Sequence, residues 1–170
     1  QRQMCIRDSW YAMWGAGSSG YWDSNGNELP DLKAAMNGRI YWTGDLQDEL
    51  QDHNGAGKEI TVTKWNDNTK TFDKIFEGKG SHSINSTKGN PNLQADLLGD
   101  WREEAVWRNE DDTELRIYTT TDLTDHKFYT FMHDSVYRLS VAFQNTAYNQ
   151  CTQTGFYIAV SYTHLRAHET

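Results

Sequence analysis

Two seven-residue stretches recur 55 positions apart, Gly44-Asp45-Leu46-Gln47-Asp48-Glu49-Leu50 and Gly99-Asp100-Trp101-Arg102-Glu103-Glu104-Ala105. Each is an acid-rich turn set among short strand-like runs. A unit of that kind buries its apolar face by stacking on another like it. Trp14, Trp65 and Trp107 also each end a strand that leads through a polar turn into a second strand, at intervals of 51 and 42 residues. Periods of roughly 40–50 residues holding several short strands are the signature of propeller blades. A closed propeller takes at least about four blades, and this interior holds about three. The expected fold is therefore all-β, a partial β-propeller.

The strands themselves are read from alternation. Trp10–Trp14, Arg39–Trp42, 59–65 and 71–77 carry β-branched and aromatic residues at period two, as do 103–108 and 113–120. Turn residues separate them, Ser24-Asn25-Gly26-Asn27 and Asn66-Asp67-Asn68 among them. Residues 134–144 are ambiguous, with Asp134 or Ser135 able to cap one short helix. Residues 1–9 and 161–170 lack the Gly/Asn/Asp turns and Trp/Tyr strands of the interior, and resemble translated sequencing-adapter read-through. The domain is expected to occupy residues 10–160, as the C-terminal part of a longer propeller.

Hydrophobic residues make up 36% of the 170, enough for a packed core. No run approaches the roughly 18 apolar residues of a membrane span. The net charge of −8 opposes binding to phosphate backbones, so nucleic acid is excluded as a partner. Cys5 and Cys151 form neither a disulfide framework nor a metal spacing.

Three local patterns carry chemistry. Asp96, Asp100 and Glu104 stand in the frame Asp-x-x-Gly-Asp-x-x-acid-Glu, a degenerate form of the DxDGDGxxE calcium loop with Leu98 in place of one acid. They are either calcium ligands or solvated turn residues. The earlier copy keeps only Asp45, Asp48 and Glu49 and is the weaker candidate. The loop 82–91 has no apolar period and is dense in donors and acceptors. Asn85, Ser86 and Thr87 suit the hydroxyls of a sugar, and Lys88 offers a titratable amine. Glu103 and Glu104 are neighbours on a strand, so they face opposite ways and cannot flank one glycosidic bond. His133 reads as a turn residue, Trp101 and Trp107 as core, and Arg108, Arg116 and Arg138 as pairing residues.

The stretches NSTKGNPNLQADLLGDWREEAVWR, LRIYTTTDLTDHKFYTFMHDSVYRLSVAFQNTAYNQ and TGFY, with RIYWTGDLQDELQD and WGAGSSGYWD upstream, resemble the C-terminal end of the rhamnogalacturonan lyases of polysaccharide lyase family 11. The resemblance covers nearly all of residues 10–160. It implies an eight-bladed, calcium-loaded propeller that is secreted or held at the cell surface, is monomeric when full length, and cleaves rhamnogalacturonan I by β-elimination. It also implies that Lys88 matches the catalytic lysine, Asn85, Ser86 and Thr87 the adjoining substrate-binding run, and Tyr148 a substrate-contacting tyrosine. Asn145, the carbonyl of Ala147, and Asn149 match a calcium site beside that tyrosine. Ser86 stands where the family commonly has Gly, and Cys151-Thr152 where it usually has proline after the YNQ motif. The family's catalytic arginine lies upstream of the matching strands, so the stretch by itself is expected to be inactive. A non-catalytic, calcium-stabilised carbohydrate-binding propeller is the alternative reading.

Overall fold

The computed structural model describes residues 3–7, 10–14, 22, 25–28, 37–66, 68–146, 150–156 and 158. Strand β1 (Gln3–Arg7) pairs antiparallel with β2 (Trp10–Trp14). The next four strands form one antiparallel meander in chain order: β3 (Gly38–Ile40), β4 (Glu49–His53), β5 (Ile60–Asn66) and β6 (Thr71–Gly78). The third sheet is centred on β9 (Glu104–Asn109). One edge of β9 pairs with β10 (Leu115–Tyr118). Its other edge takes β8 (Leu93–Ala95) and the two-residue β7 (Ser81–His82) end to end. None of these sheets closes on itself among the described residues.

The 55-residue recurrence holds in three dimensions. Shifting β3, β4 and β5 by that interval lands on β8, β9 and β10, and these three strands stand in the same order in both sheets. The turns between the first two strands match as well. Gly44 (φ 93°) and Leu46 (φ 69°) correspond to Gly99 (φ 77°) and Trp101 (φ 71°). Glycine relieves the left-handed conformation at the first of each pair.

The tryptophan intervals, in contrast, do not mark this repeat. Trp65 lies on β5, the third strand of its unit, where it is half-buried and tilted against Phe72 at 5.2 Å. Trp107 lies on β9, the second strand of the next unit, and is fully buried. Tryptophan spacing reported aromatic frequency in strands and not equivalent positions.

The two four-stranded sheets pack face to face. Ile40, Trp42, Ile60 and Val62 of one meet Ala105 and Trp107 of the other, flanked by Phe76 and Tyr118. A second apolar cluster joins Tyr41, Trp101, Phe131, Tyr137 and Ile158 at one end of the sheets. Its Tyr137 comes from α1 (Ser135–Phe143) and its Phe131 from the preceding 3₁₀ turn Phe131–His133. The ambiguous segment is thus a helix, and Asp134 caps it by accepting the amide of Val136 at 3.1 Å. Gln144, just past α1, pairs with β8 as a strand would. Its Oε1 accepts the Gln94 amide at 2.7 Å and its Nε2 donates to the Gln94 carbonyl at 2.6 Å. No helix among the described residues is long and apolar enough to cross a membrane.

Candidate functional site

Residues 83–92 link β7 to β8, and one buried hydroxyl organises them. Ser83 Oγ donates to the Lys88 carbonyl at 2.7 Å. It also lies within hydrogen-bond distance of the Asn90 carbonyl (3.3 Å) and accepts the amides of Asn85 (3.1 Å) and Asn90 (3.0 Å). Asn85 Oδ1 in turn accepts the amide (3.0 Å) and hydroxyl (3.1 Å) of Thr87, which closes the tip. A polar sequence without apolar period thereby becomes a fixed bend. Ser86 and Thr87 are exposed at its tip, Asn85 and Lys88 are half-buried, and Gly89 and Asn90 are buried.

The bend is fastened to the far end of β4. Asp52 Oδ1 accepts the Gly89 amide at 2.8 Å and the His53 amide at 2.8 Å, while Oδ2 accepts Asn37 Nδ2 at 2.6 Å. Contact is so close that a Cβ on Gly89 would lie 2.3 Å from the Asp52 carbonyl carbon and 2.4 Å from its Cα. Lys88 is therefore held by its own carbonyl on one side and by its neighbour's amide on the other. Ser83, Asp52 and Gly89 are thus the positioning residues of the bend. Only the glycine beside the lysine was a usable signal, because the residues it touches are 37 positions away in β4.

Of the other residues singled out by resemblance, Ala147, Tyr148 and Asn149 lie outside the described residues. Asn145 is described, and the fold brings it to the base of the Lys88 bend: its Nδ2 donates to the Asn92 carbonyl. Asn92 also accepts the Arg108 amide on Oδ1 at 2.9 Å, tying this contact to β9. Cys151 and Thr152 turn inward. Cys151 is buried against Gly38, and burial pushes its thiol up to about 12. Thr152 donates to Glu103.

Glu103 and Glu104 part as adjacent residues should, and both are buried. Glu103 accepts the Tyr137 hydroxyl at 2.7 Å, Gln94 Nε2 at 2.9 Å and the Tyr41 amide at 3.0 Å, with the buried Arg39 guanidinium 3.9 Å away. Every one of these partners belongs to the core, so Glu103 is a structural hub. His133 Nδ1 contacts the Thr130 carbonyl at 2.6 Å, a turn role. Arg108, Arg116 and Arg138 pair with Asp112, Glu114 and the carbonyls of Met132 and His133.

The acid turns stand at the other end of β4 and β9. Glu49 Oε2 accepts the amides of Trp42 (2.8 Å) and Thr43 (3.3 Å). Glu104 Oε2 accepts those of Leu97 (2.8 Å) and Leu98 (3.0 Å), and its Oε1 takes the Thr119 hydroxyl at 3.1 Å. Asp100 is ion-paired to Arg102, and Asp96 Oδ2 accepts the Phe131 amide at 2.8 Å. Burial raises the carboxyls of Asp96 and Glu104. Of the six carboxylate oxygens on Asp96, Asp100 and Glu104, Asp96 Oδ1 is buried without a hydrogen-bond partner. The other five accept hydrogen bonds from amides, Thr119 or Arg102, whereas calcium takes six to eight oxygens. Among the described residues no group of three or more His, Cys, Asp or Glu converges as a metal cluster.

Residues 3–167 match the family model described as rhamnogalacturonan lyase family 11, C-terminal domain. The chain is 51% identical over 144 residues to rhamnogalacturonan exolyase YesX of Bacillus subtilis (strain 168), covering 83% of this chain and 24% of that protein. It is 47% identical over 127 residues to rhamnogalacturonan endolyase YesW of the same organism, covering 75% and 20% respectively. Among solved structures, the exotype rhamnogalacturonan lyase YesX superposes with a TM-score of 0.77 at 45% identity, over 92% of this chain and 28% of that one. The Bacillus licheniformis rhamnogalacturonan lyase PL11 does so with a TM-score of 0.77 at 42% identity, over 92% and 26%. The chain thus spans about a quarter of the length of the relatives it matches.

Proposed function

The chain belongs to rhamnogalacturonan lyase family 11, and from that premise we propose that it forms the C-terminal part of a secreted lyase that cuts the rhamnogalacturonan I backbone by β-elimination. The observation that carries this reading is the Lys88 bend. An amine is set on a rigid, doubly anchored loop beside exposed polar side chains suited to sugar hydroxyls. The stacked sheets belong to an eight-bladed ring of which this chain supplies about three blades, and the 55-residue unit is the blade repeat.

β-Elimination removes the proton at C5 of galacturonate, and the neighbouring carboxylate resists the negative charge that develops. Lys88, as general base, takes that proton. Asn85, Ser86 and Thr87 hold sugar hydroxyls at the tip of the bend, and Tyr148 supports the sugar. The oxygens of Asn145, Asn149 and the Ala147 carbonyl are the hard donors calcium prefers, and they would hold an ion beside Tyr148. An ion held by these oxygens would supply positive charge that favours the developing enolate.

The test is a full-length lyase carrying this chain, incubated with rhamnogalacturonan I. The expected product is an unsaturated uronide, and Lys88→Ala lowers its formation by about 10²–10⁴. Saturated products, or an unchanged rate in Lys88→Ala, overturn the proposal. Loss of cleavage with sugar binding retained in Lys88→Ala separates catalysis from the carbohydrate-binding alternative.

A further inference from the structure

The two acid turns share a backbone and a set of hydrogen bonds, but their positive charge comes from different places. Asp45 and Asp100 each accept the amide two residues on, from Gln47 at 3.2 Å and Arg102 at 3.1 Å. Glu49 and Glu104 each take two amides from the strand-to-turn junction before them. In the first turn the cation is Lys64, on β5. Its Nζ lies 2.6 Å from Asp45 Oδ2, 2.6 Å from Thr43 Oγ1 and 3.4 Å from Glu49 Oε1. The turn position itself is the neutral Gln47.

In the second turn the assignment is reversed. The position 55 residues after Lys64 is Thr119, whose hydroxyl reaches Glu104 Oε1 at 3.1 Å. The position 55 residues after Gln47 is Arg102, whose guanidinium pairs with Asp100 and donates to the Asp122 carbonyl at 2.5 Å. One basic side chain is set against the aspartate in each copy, and it enters from the strand side in one and from the turn in the other.

We propose that the aspartate of each acid turn is paired with one internal cation that either of two equivalent positions can supply, and that this pairing takes the place of a divalent ion. Lys64 fills the place in the first turn and Arg102 in the second, so neither turn takes up a divalent ion. Coulomb attraction at these distances is the same in kind for an ammonium as for a metal. A side chain carries its own charge into the turn without desolvating a divalent ion.

The test exchanges the two solutions in the full chain. Lys64→Thr removes the cation from the first turn and lowers Tm by about 3–6 °C, given about 2–4 °C per kcal/mol for a chain of this size. Adding Gln47→Arg to Lys64→Thr recreates the second turn's arrangement and restores Tm to within about 1 °C of wild type. In the wild-type chain, millimolar calcium leaves the amide resonances of Thr43 and Leu98 in place. An unchanged Tm in Lys64→Thr, no recovery in the double variant, or a saturable calcium shift of either amide in wild type overturns the proposal. Should Lys64→Thr be obtained only unfolded, the double variant decides: folded supports the exchange, and unfolded refutes it.

Discussion

Replacing Gly89 by alanine sets a methyl group into the backbone of β4. The added Cβ would meet the Asp52 carbonyl carbon at 2.3 Å and His53 N at 2.4 Å, both main-chain atoms that no rotamer change can move aside. Ordinary carbon contacts begin near 3.5 Å, so the bend must retreat by about 1 Å. That retreat breaks the 2.8 Å bond from the Gly89 amide to the Asp52 carboxylate. Overpacking costs about 1–3 kcal/mol and loss of a hydrogen bond to a charged acceptor about 1.5–3 kcal/mol. A combined cost of about 3–5 kcal/mol corresponds to a Tm lowered by about 10 °C in a chain this long. Thermal unfolding of Gly89→Ala beside Gly57→Ala measures the effect. At Gly57 the new Cβ comes no closer than 3.4 Å to Glu59 Cγ, so that control should stay within about 0.5 kcal/mol of wild type. In a full-length lyase the same 1 Å shift of Lys88 should lower turnover by about 10². A Gly89→Ala chain as stable as the control would refute the claim that contact with β4 fixes the lysine.

Two further outcomes follow from buried charge. Glu103→Gln replaces an acceptor by a donor against Tyr137 and Thr152 and leaves the Arg39 guanidinium without its carboxylate. Urea denaturation should show a loss of about 3–5 kcal/mol. Burial pushes the Glu49 carboxyl up to about 7, although Thr43, Lys64 and the Trp42 amide oppose the shift. A carboxyl raised on folding contributes stability that is present below its unfolded value near 4.5 and is lost as pH rises to about 7. Its Lys64-bound neighbour Asp45 behaves oppositely. Burial acts against its charge, but the ammonium holds it below the usual range, so its contribution fades only in acid. The stability of Glu49→Gln relative to wild type should therefore rise between about pH 4.5 and 7, as followed by Tm across that range. A flat difference would show that Glu49 does not titrate there.

How much of this was legible beforehand depends on the distance over which each feature acts. The 55-residue recurrence predicted two like units, and the structure repeats the strand order, the left-handed turn residues and the glutamate that accepts two amides. All of these are local consequences of residue type at fixed spacing. Strand β4, Glu49–His53, escaped the alternation reading because its residues are mostly polar. Its first three residues are buried nonetheless, since β3 and β5 flank it and Gln51 finds Gln94 at 3.2 Å. The helix could be recognised by its Asp134 cap but not by its apolar face, because Tyr137 is its buried member.

Sequence by itself determined where the turns, strands and the amine-bearing bend lie, because backbone conformation and hydrogen bonding within a few residues follow from which side chains are present. Tertiary structure alone decided which charge answers Asp45 and what holds the bend, whereas Arg102 answers Asp100 from two residues away. Lys64 reaches Asp45 from 19 positions away, and Asp52 reaches Gly89 from 37. A period in the sequence records equivalent backbone positions. Electrostatic neutrality is met by whichever side chain the packed sheets bring within reach, so two turns of one pattern are completed by a lysine in one case and an arginine in the other.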